Sequence, residues 1–311
     1  MAKKIGILIP TFNEELNVLP LYEALKAEFK ANLRKYDYRI VFIDNCSKDS
    51  TRQKIQEICK KDKKTGAIFN VKNFGPHNSP LHGMLNTVGD CVVLMAADFQ
   101  DPVNMISKFV KEWEKGYKIV IGIKSKSKEN KLMYYIRTQF YRFIKKFSDV
   151  EQIEHFTGFG LYDRKFIEVL RGLGDTRPYL RGIISELGYE RKEIEYVQEK
   201  RRAGKTSTSF YRLYDVAMLG ITSYTTIGLR FATFTGFIMS ILFFLAGLGY
   251  LIYKLLYWQD FQLGLAPMLL GIFFFGAVQL FFIGMMGEYI LNINTRVMKR
   301  PLVVEEKRIN F

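Results

Sequence analysis

Two long apolar stretches constrain the fold of this chain more than any other feature of its sequence. Residues 231–253 carry no charged side chain, and residues 264–286 are interrupted by one amide, Gln279. A helix of about 20 apolar residues crosses the roughly 30 Å hydrocarbon layer of a bilayer. The alternative is a pair of buried core helices, but core helices this long and apolar on every face are uncommon. The sequence therefore predicts two transmembrane helices.

The charges around these stretches predict which side of the membrane the rest of the chain occupies. Lys and Arg exceed Asp and Glu by 15 over the whole sequence. Many of these cations lie in residues 191–212 and 296–300, whereas the short loop between the two stretches carries one lysine and one aspartate. Because loops rich in Lys and Arg stay on the cytoplasmic side, we expect a plasma (inner) membrane protein with two spans and both flanks in the cytoplasm.

The same pattern divides the chain into segments. A helix predicted at about 131–147 has apolar residues at helical spacing and basic residues on its other faces, which is typical of a helix lying on a membrane surface. An ordinary core-facing helix is the alternative. The expected segments are a cytoplasmic domain (1–208), a juxtamembrane amphipathic helix (209–228), two membrane helices (within 229–288) and a cytoplasmic C-terminal tail (289–311).

Within residues 1–208, strand-like and helix-like segments alternate. Continuous apolar runs suit strands that are buried on both faces. Their alternation with helices predicts an α/β fold, a Rossmann-like and mostly parallel sheet with helices on both faces. No GxGxxG motif follows the first run, which excludes a dinucleotide fingerprint. The predicted strands lie at residues 5–10, 38–43, 67–71, 91–97 and 118–123.

A cluster of oxygen-bearing side chains follows the apolar run 91–97. Asp98, Gln100 and Asp101 come in quick succession before Pro102. Ligands of open α/β sheets bind at the carboxyl ends of the strands, and carboxylate and amide oxygens suit Mg²⁺ or Mn²⁺, which usually bridge to substrate phosphates. A solvated acidic turn that binds no metal explains the local sequence equally well. Asp101 either assists the metal or caps a helix that begins near Pro102, and we favour the cap.

Composition excludes several other classes of site. Three widely spaced cysteines without a CxxC pair argue against a disulfide framework or a zinc site. A basic chain can bind nucleic acid, but no recognised reader motif is present and the membrane already accounts for the charge. We therefore expect no nucleic-acid partner.

Several short motifs occur along the chain in a particular order. Together they resemble membrane-bound family 2 glycosyltransferases of the GT-A fold, and more narrowly polyprenyl-phosphate glycosyltransferases related to dolichol-phosphate mannose synthase. The resemblance covers nearly the whole chain. The motifs lie at residues 9–14, 43–51, 73–75, 96–102, 140–142, 202–205, 287–290 and 300–301.

The resemblance implies a reaction and its partners. Such an enzyme would transfer a sugar from a nucleotide-diphosphate sugar, here a UDP-hexose or UDP-N-acetylhexosamine, to a polyprenyl phosphate such as undecaprenyl phosphate. The reaction would be inverting and dependent on Mg²⁺ or Mn²⁺, and would supply lipid-linked sugar for modification of cell-envelope glycans. Because relatives form oligomers, we expect a homo-oligomer, specifically a tetramer.

The resemblance also implies roles for individual residues. Asp98 would hold the metal on the donor diphosphate, with Gln100 beside it, and Asp98 and Arg142 would be the catalytic residues. Arg137, Arg142 and Arg201 would bind the acceptor phosphate. The implied donor-binding residues are Pro10, Phe12, Glu14, Asp44, Asp98, Gln100, Arg202 and Lys205.

The chain departs from the family pattern at several of these motifs. Relatives usually have Asp at Ala96, and a second Asp and a Gly at Asn45 and Cys46. They often read Gly-Asp-Phe-Arg-Leu where this chain has Thr-Gly-Phe-Gly-Leu at residues 157–161. The missing carboxylate at Gly158 need not abolish turnover, because a phosphate monoester with a second pKa near ~6 is already an oxyanion at cytoplasmic pH. A general base is therefore not required.

Two other functions remain open at this point. A processive polysaccharide synthase would carry a Gln-x-x-Arg-Trp motif, but neither Trp113 nor Trp258 follows an arginine. A non-catalytic, degenerate transferase domain serving as a membrane assembly partner is favoured by Ala96 and Gly158. The acidic residues retained in the other motifs speak against it.

Overall fold

The structure is a computed structural model that describes residues 2–126, 153, 155–176, 178–199, 202, 218, 227–257 and 265–311. The amphipathic helix expected at 131–147 lies outside the described residues. The helix expected at 209–228 also lies outside them, apart from Met218 and the first residues of the helix that begins at Ile227.

Four parallel strands form the centre of the sheet. Strands β1 (Lys4–Thr11) and β4 (Cys91–Leu94) pair side by side, and β2 (Asp37–Asp44) and β3 (Thr65–Asn70) follow on the other side of β1. All four are rich in buried apolar residues, as expected for strands covered on both faces. The sequence predicted each of these strands.

Four further strands complete the sheet. Strand β5 (Ile119–Lys126) was predicted, whereas β6 (Phe156–Asp163), β7 (Arg191–Val197) and β8 (Glu305–Ile309) were not. Strand β6 runs antiparallel between β4 and β5, and β8 runs antiparallel along the edge of β3. The described strands therefore form one mixed sheet in the order β7-β5-β6-β4-β1-β2-β3-β8.

Helices cover both faces of this sheet, as predicted. Side chains of one strand alternate between the faces, so Ile7 and Ile9 belong to one hydrophobic core while Leu8 belongs to the other. The helices of this domain are α1 (Val18–Asn32), α2 (Thr51–Lys61), α3 (Gly75–Asn86), α4 (Met105–Glu114), α5 (Arg164–Leu173) and α6 (Leu180–Glu186).

Two long helices follow, α7 (Ile227–Leu256) and α8 (Leu265–Val297). Within them, Leu229–Gly249 and Phe274–Val297 are long and apolar enough to cross a membrane, judged by length and composition, and their most apolar windows bury no side chain. At 1.5 Å per residue, α8 is about 50 Å long, which exceeds the thickness of a hydrocarbon layer. Both helices are longer than the predicted spans 231–253 and 264–286.

The C-terminal segment corrects one expectation from the sequence. Residues 289–311 do not form a separate tail, because α8 continues to Val297 and β8 joins the sheet of the N-terminal domain. Strand β8 is held by side chains as well as by its backbone: Arg52 Nη2 lies 2.6 Å from Glu306 Oε2, and His82 Nε2 lies 2.5 Å from Glu305 Oε1. The second long helix is thus anchored to the sheet at its C-terminal side.

Candidate active site

The parallel strands bring the predicted donor residues to one edge of the sheet. Thr11 at the end of β1 is in register with Asp44 at the end of β2, and Leu8 is in register with Leu94 at the end of β4. The loops that follow these three strands therefore start side by side. This is the edge at which open α/β sheets bind ligands.

Asp44 is enclosed at the end of β2. Its side chain is fully buried, accepts hydrogen bonds from the backbone and hydroxyl of Ser47, and lies 3.1 Å from Arg52 Nε. Burial raises the pKa of this carboxyl group, although the bonds from Ser47 and the charge of Arg52 act in the opposite direction. The Asp44 carboxylate therefore holds the loop after β2 in place. Its predicted contact with a nucleotide stays a prediction.

The loop after β1 is joined to the loop after β2 by a ladder of side chains. Asn13, which has a positive φ of 56°, donates its backbone N–H to Ser47 Oγ (2.9 Å) and accepts from the N–H of Lys48 (2.8 Å). Glu14 donates its N–H to Thr51 Oγ1 (2.8 Å). The two loops therefore form one rigid wall, on which Pro10 and Phe12 are half-buried and Glu14 is buried.

Asp98 lies just beyond β4 and is 8% exposed. Its Oδ1 accepts a hydrogen bond from the N–H of Gln100 (3.1 Å), across a bend in which Phe99 has a φ of 63°. The backbone N–H of Arg202 donates to the carbonyl of Asp98 (3.2 Å), and the Arg202 guanidinium lies 5.1 Å from the centre of the Phe99 ring. The structure thus brings Arg202 next to Asp98 and Gln100, which are about a hundred positions earlier in the sequence.

The assignment of Asp101 as a helix cap is wrong. Helix α4 begins at Met105 with Asn104 in the capping position, and Asp101 is buried instead. Its carboxylate accepts from the N–H of Ala96 (2.9 Å) and from the hydroxyl of Tyr196 (3.0 Å), and burial raises its pKa to about 6. Asp101 therefore ties the end of β4 to β7.

A cavity of about 350 Å³ opens beside these loops. Pro10 and Gln100 are among its lining residues, together with Ala96 and Gly158. Lys124 and Arg181 add positive charge to a lining that is otherwise mostly apolar. The described lining does not include the other predicted donor residues Phe12, Glu14, Asp44, Asp98 and Arg202.

The backbone of β6 disfavours a side chain at two of its glycines. Gly158 has a φ of +101°, which side chains rarely adopt, and its carbonyl accepts from the Tyr162 hydroxyl (2.8 Å). A Cβ on Gly160 would lie 2.6 Å from the carbonyl oxygen of Val120. The strand therefore cannot accept an arginine at residue 160 without moving, and an aspartate at residue 158 would be strained.

The donor set at the end of β4 fits a metal that the substrate helps to hold. Among the described residues, no group of three His, Cys, Asp or Glu side chains is placed to bind a metal ion. The two oxygens of the buried Asp101 accept hydrogen bonds from Ala96 and Tyr196, and Asp98 is the other carboxylate of this segment, with Gln100 adjacent. Mg²⁺ is commonly bound by one or two carboxylates together with substrate phosphates, so Asp98 would need the phosphates of a substrate to complete a metal site.

The predicted basic residues Arg137, Arg142, Arg201 and Lys205 lie outside the described residues. Sequence reasoning also missed Tyr196 and Arg52. The partner of Tyr196 is 95 positions away, so no local pattern indicates it. Arg52 directly follows the motif at residues 43–51, in the first turn of α2. This position was the one sequence signal that could have identified Arg52 as a site residue.

Comparison with known proteins assigns the family. The model of Glycosyl transferase family 2 matches residues 6–188. The chain belongs to glycosyltransferase family 2. This confirms the predicted fold class and the prediction that the protein is a glycosyltransferase.

The relatives of this family 2 glycosyltransferase match it over almost its whole length. It is 31% identical to the bactoprenol glucosyl transferase of Shigella phage SfX, over 98% of this chain and 99% of that protein. It is 29% identical to a prophage bactoprenol glucosyl transferase homolog of Escherichia coli K12, over 96% and 97%. It is 31% identical to the putative glycosyltransferase CsbB of Bacillus subtilis, over 96% and 89%.

Solved structures show a partial likeness to the enzyme. One is the mannosyltransferase PcManGT from Pyrobaculum calidifontis in complex with GDP-Man and Mn²⁺, at 14% identity and a TM-score of 0.48, covering 71% of this chain and 63% of that one. Another is S. aureus TarS 1-349 in complex with UDP-GlcNAc, at 13% identity and a TM-score of 0.41, covering 71% and 67%.

Proposed function

We propose that this glycosyltransferase transfers a sugar from a nucleotide-diphosphate sugar to a polyprenyl phosphate at the cytoplasmic face of the membrane. The observation that carries the proposal is the similarity to bactoprenol glucosyl transferases over 98% of the chain, which includes both long apolar helices. Because these relatives are named for glucose and bactoprenol, UDP-glucose and undecaprenyl phosphate are the first substrates to test.

The donor would bind along the edge formed by the loops after β1, β2 and β4. Asp98, with Gln100 beside it, would hold Mg²⁺ or Mn²⁺ on the diphosphate, and such a cation would stabilise the charge of the departing diphosphate. Arg202 lies next to Asp98 through its backbone contact (3.2 Å) and would add positive charge at the same place. Pro10 and Phe12 would line the nucleotide side.

The transfer step needs no base in this proposal. An oxygen of the acceptor phosphate forms a bond to the anomeric carbon while the bond from that carbon to the donor diphosphate oxygen breaks, and the electron pair leaves with the nucleoside diphosphate. The configuration inverts once. A general base typically contributes ~10²–10⁴ in rate where a proton must be removed, but a phosphate with a pKa near ~6 has already lost its proton. Gly158 is therefore compatible with turnover.

The membrane arrangement follows from the long helices and the charge distribution. Helices α7 and α8 would cross the bilayer, and the basic flanks would keep the catalytic domain in the cytoplasm. The active site would then lie near the headgroups, where the phosphate of the acceptor is located. Arg137, Arg142 and Arg201 remain the predicted acceptor ligands, and a homo-oligomer and a role in modifying envelope glycans remain part of the proposal.

One product analysis tests this function. Purified full-length protein in detergent is incubated with Mg²⁺ or Mn²⁺, undecaprenyl phosphate and each member of a panel of nucleotide sugars, and the lipid fraction is analysed by mass spectrometry. We expect one sugar added per lipid phosphate, with none added to undecaprenol, which lacks the phosphate. A polymer of sugars would identify a processive synthase instead, and no transfer from any donor would reject the proposal.

A further inference from the structure

A groove of about 440 Å³ lies where the C-terminal end of α8 meets the catalytic domain. We call it the α8 groove. Its apolar lining comes from helices α3 and α5 and from the segment just after α8, and it leaves Leu173 48% exposed. The leucines that line it are Leu81, Leu85, Leu170, Leu173 and Leu302.

The α8 groove adjoins the cavity of the active site. Leu81 lines both spaces, and the segment that follows α5 borders both, with Asp175 and Thr176 at the groove and residues 178–181 at the cavity. That segment is attached to the last turn of α8, because Thr176 Oγ1 donates to the carbonyl of Thr295 (3.3 Å) and Asp175 pairs with Arg296 (3.7 Å). The groove and the cavity are therefore neighbours that share Leu81 and this segment.

The rim of the α8 groove is basic. Arg171, Arg296, Lys299 and Arg300 line it. Glu168 lies 3.1 Å from Arg171, and Asp175 is the partner of Arg296, so acidic groups balance only part of this charge. The rim lies at the end of the apolar span Phe274–Val297. Clusters of Lys and Arg at such a position attract the anionic headgroups of the cytoplasmic leaflet.

We propose that the α8 groove holds the acceptor's prenyl chain beyond its first two units, while the phosphate and those first units enter the adjoining cavity. This inference rests on the proposed function. A branched hydrocarbon suits a lining of leucines, because removing apolar surface from water favours binding. Lys124 and Arg181 line the cavity and would supply the positive charge that a phosphate requires. The prenyl chain would thus run along the groove from the C-terminal end of α8 toward the cavity in which the acceptor phosphate reacts.

The test compares acceptors that differ only in chain length. Kinetics of the full-length protein in detergent are measured with undecaprenyl phosphate and with a two-unit prenyl phosphate, at saturating donor. Leu173→Gln places an amide in the groove at an exposed position, so folding should be unaffected. We expect the KM for undecaprenyl phosphate to rise about tenfold and the KM for the short acceptor to change less than about twofold. A tenfold change corresponds to about 1.4 kcal/mol, which is no more than the burial of one leucine side chain contributes.

Val88→Gln is the matched control. Val88 is also an exposed aliphatic residue (59%), but it is not among the described residues that line the groove or the cavity, and its variant should behave as the wild type. Equal changes in KM for the long and the short acceptor, or no change for either, would overturn the groove assignment. Failure of the wild type to use any prenyl phosphate would instead reject the proposed function, so the two outcomes are distinguishable.

Discussion

Two glycines in β6 show how single residues shape the strand beside the cavity. The backbone at both Gly158 and Gly160 disfavours a side chain. At Gly158 the obstacle is the positive φ, and at Gly160 it is the carbonyl of Val120. The cavity is therefore lined by a strand whose backbone would be strained by a side chain at residue 158.

Gly160→Ala should destabilise the protein by about 1–3 kcal/mol, because its Cβ would be forced against backbone atoms of β5. Urea unfolding followed by circular dichroism measures this change. Gly172→Ala in α5 is the matched control, since a Cβ there meets nothing within 4 Å and alanine favours the helix by about 0.5–1 kcal/mol. Equal stability of the two variants would show that β6 and β5 are not packed as described.

At the scale of secondary-structure elements, Arg52 connects the catalytic domain to its C-terminal strand β8. It lies beside the buried Asp44 of β2 and also pairs with Glu306 of β8. The contact with Asp44 is an ion pair rather than an aligned hydrogen bond. The two pairs differ in burial, because Asp44 is enclosed whereas Glu306 is exposed.

This difference predicts unequal effects for two substitutions. Arg52→Met should cost about 3 kcal/mol or more of unfolding free energy, because it leaves the Asp44 carboxylate buried without its cation. Glu306→Gln should cost less than about 1 kcal/mol, as is usual for an exposed ion pair. Thermal or urea unfolding of both variants measures the effects. A larger loss for Glu306→Gln would place the important charge pair on β8 instead.

The attachment of β8 should also depend on pH. Burial raises the pKa of Glu305, but hydrogen bonds from Arg308 and His82 outweigh it, so the pKa in the folded protein lies below the ordinary value of 4.5. The resulting stabilisation is present above pH 4.5 and is lost as the pH falls through the folded pKa.

We therefore expect Glu305→Gln to lower the Tm at pH 7 and to reduce the difference in Tm from the wild type below pH 4. Melting curves between pH 7 and pH 3 measure this. A constant difference across the whole range would show that the Glu305 charge does not contribute.

The elements also show what a sequence can and cannot predict here. Strands β1 to β5 are continuous apolar runs, so their burial in a parallel sheet was predictable. Strand β6 contains two glycines and β8 reads Glu-Glu-Lys-Arg-Ile, so neither resembles a core strand. Their pairing depends on long-range partners such as β3. The hydrogen bond between Asp101 and Tyr196 was missed for the same reason, since Tyr196 belongs to a strand that is distant in sequence.

At the scale of the whole molecule, the segment from α8 to β8 connects the long apolar helices to the sheet of the catalytic domain. The chain leaves α8 at Val297 and enters β8 at Glu305, so few residues separate the proposed membrane span from the edge of the sheet. The active site and the bilayer would therefore keep a nearly fixed separation. A lipid acceptor would have to come to the domain along a surface such as the α8 groove.

Membrane attachment should accordingly withstand salt. Two helices with span-length apolar segments should keep the expressed protein in the membrane fraction through washes with molar salt and alkaline carbonate, and detergent should release it. Fractionation followed by immunoblotting measures this distribution. Release by salt alone would mean that the basic surface, rather than α7 and α8, binds the membrane, because salt screens exposed charges.

The most direct measurement of the central claim is the turnover of Asp98→Asn beside the wild type, with undecaprenyl phosphate, the preferred nucleotide sugar and Mg²⁺ or Mn²⁺. The substitution keeps the size of the side chain and removes its charge, so Tm should change little. We expect kcat to fall by at least about 100-fold, comparable to the loss of a group that stabilises charge in a transition state. A variant that turns over at nearly the wild-type rate would contradict the account.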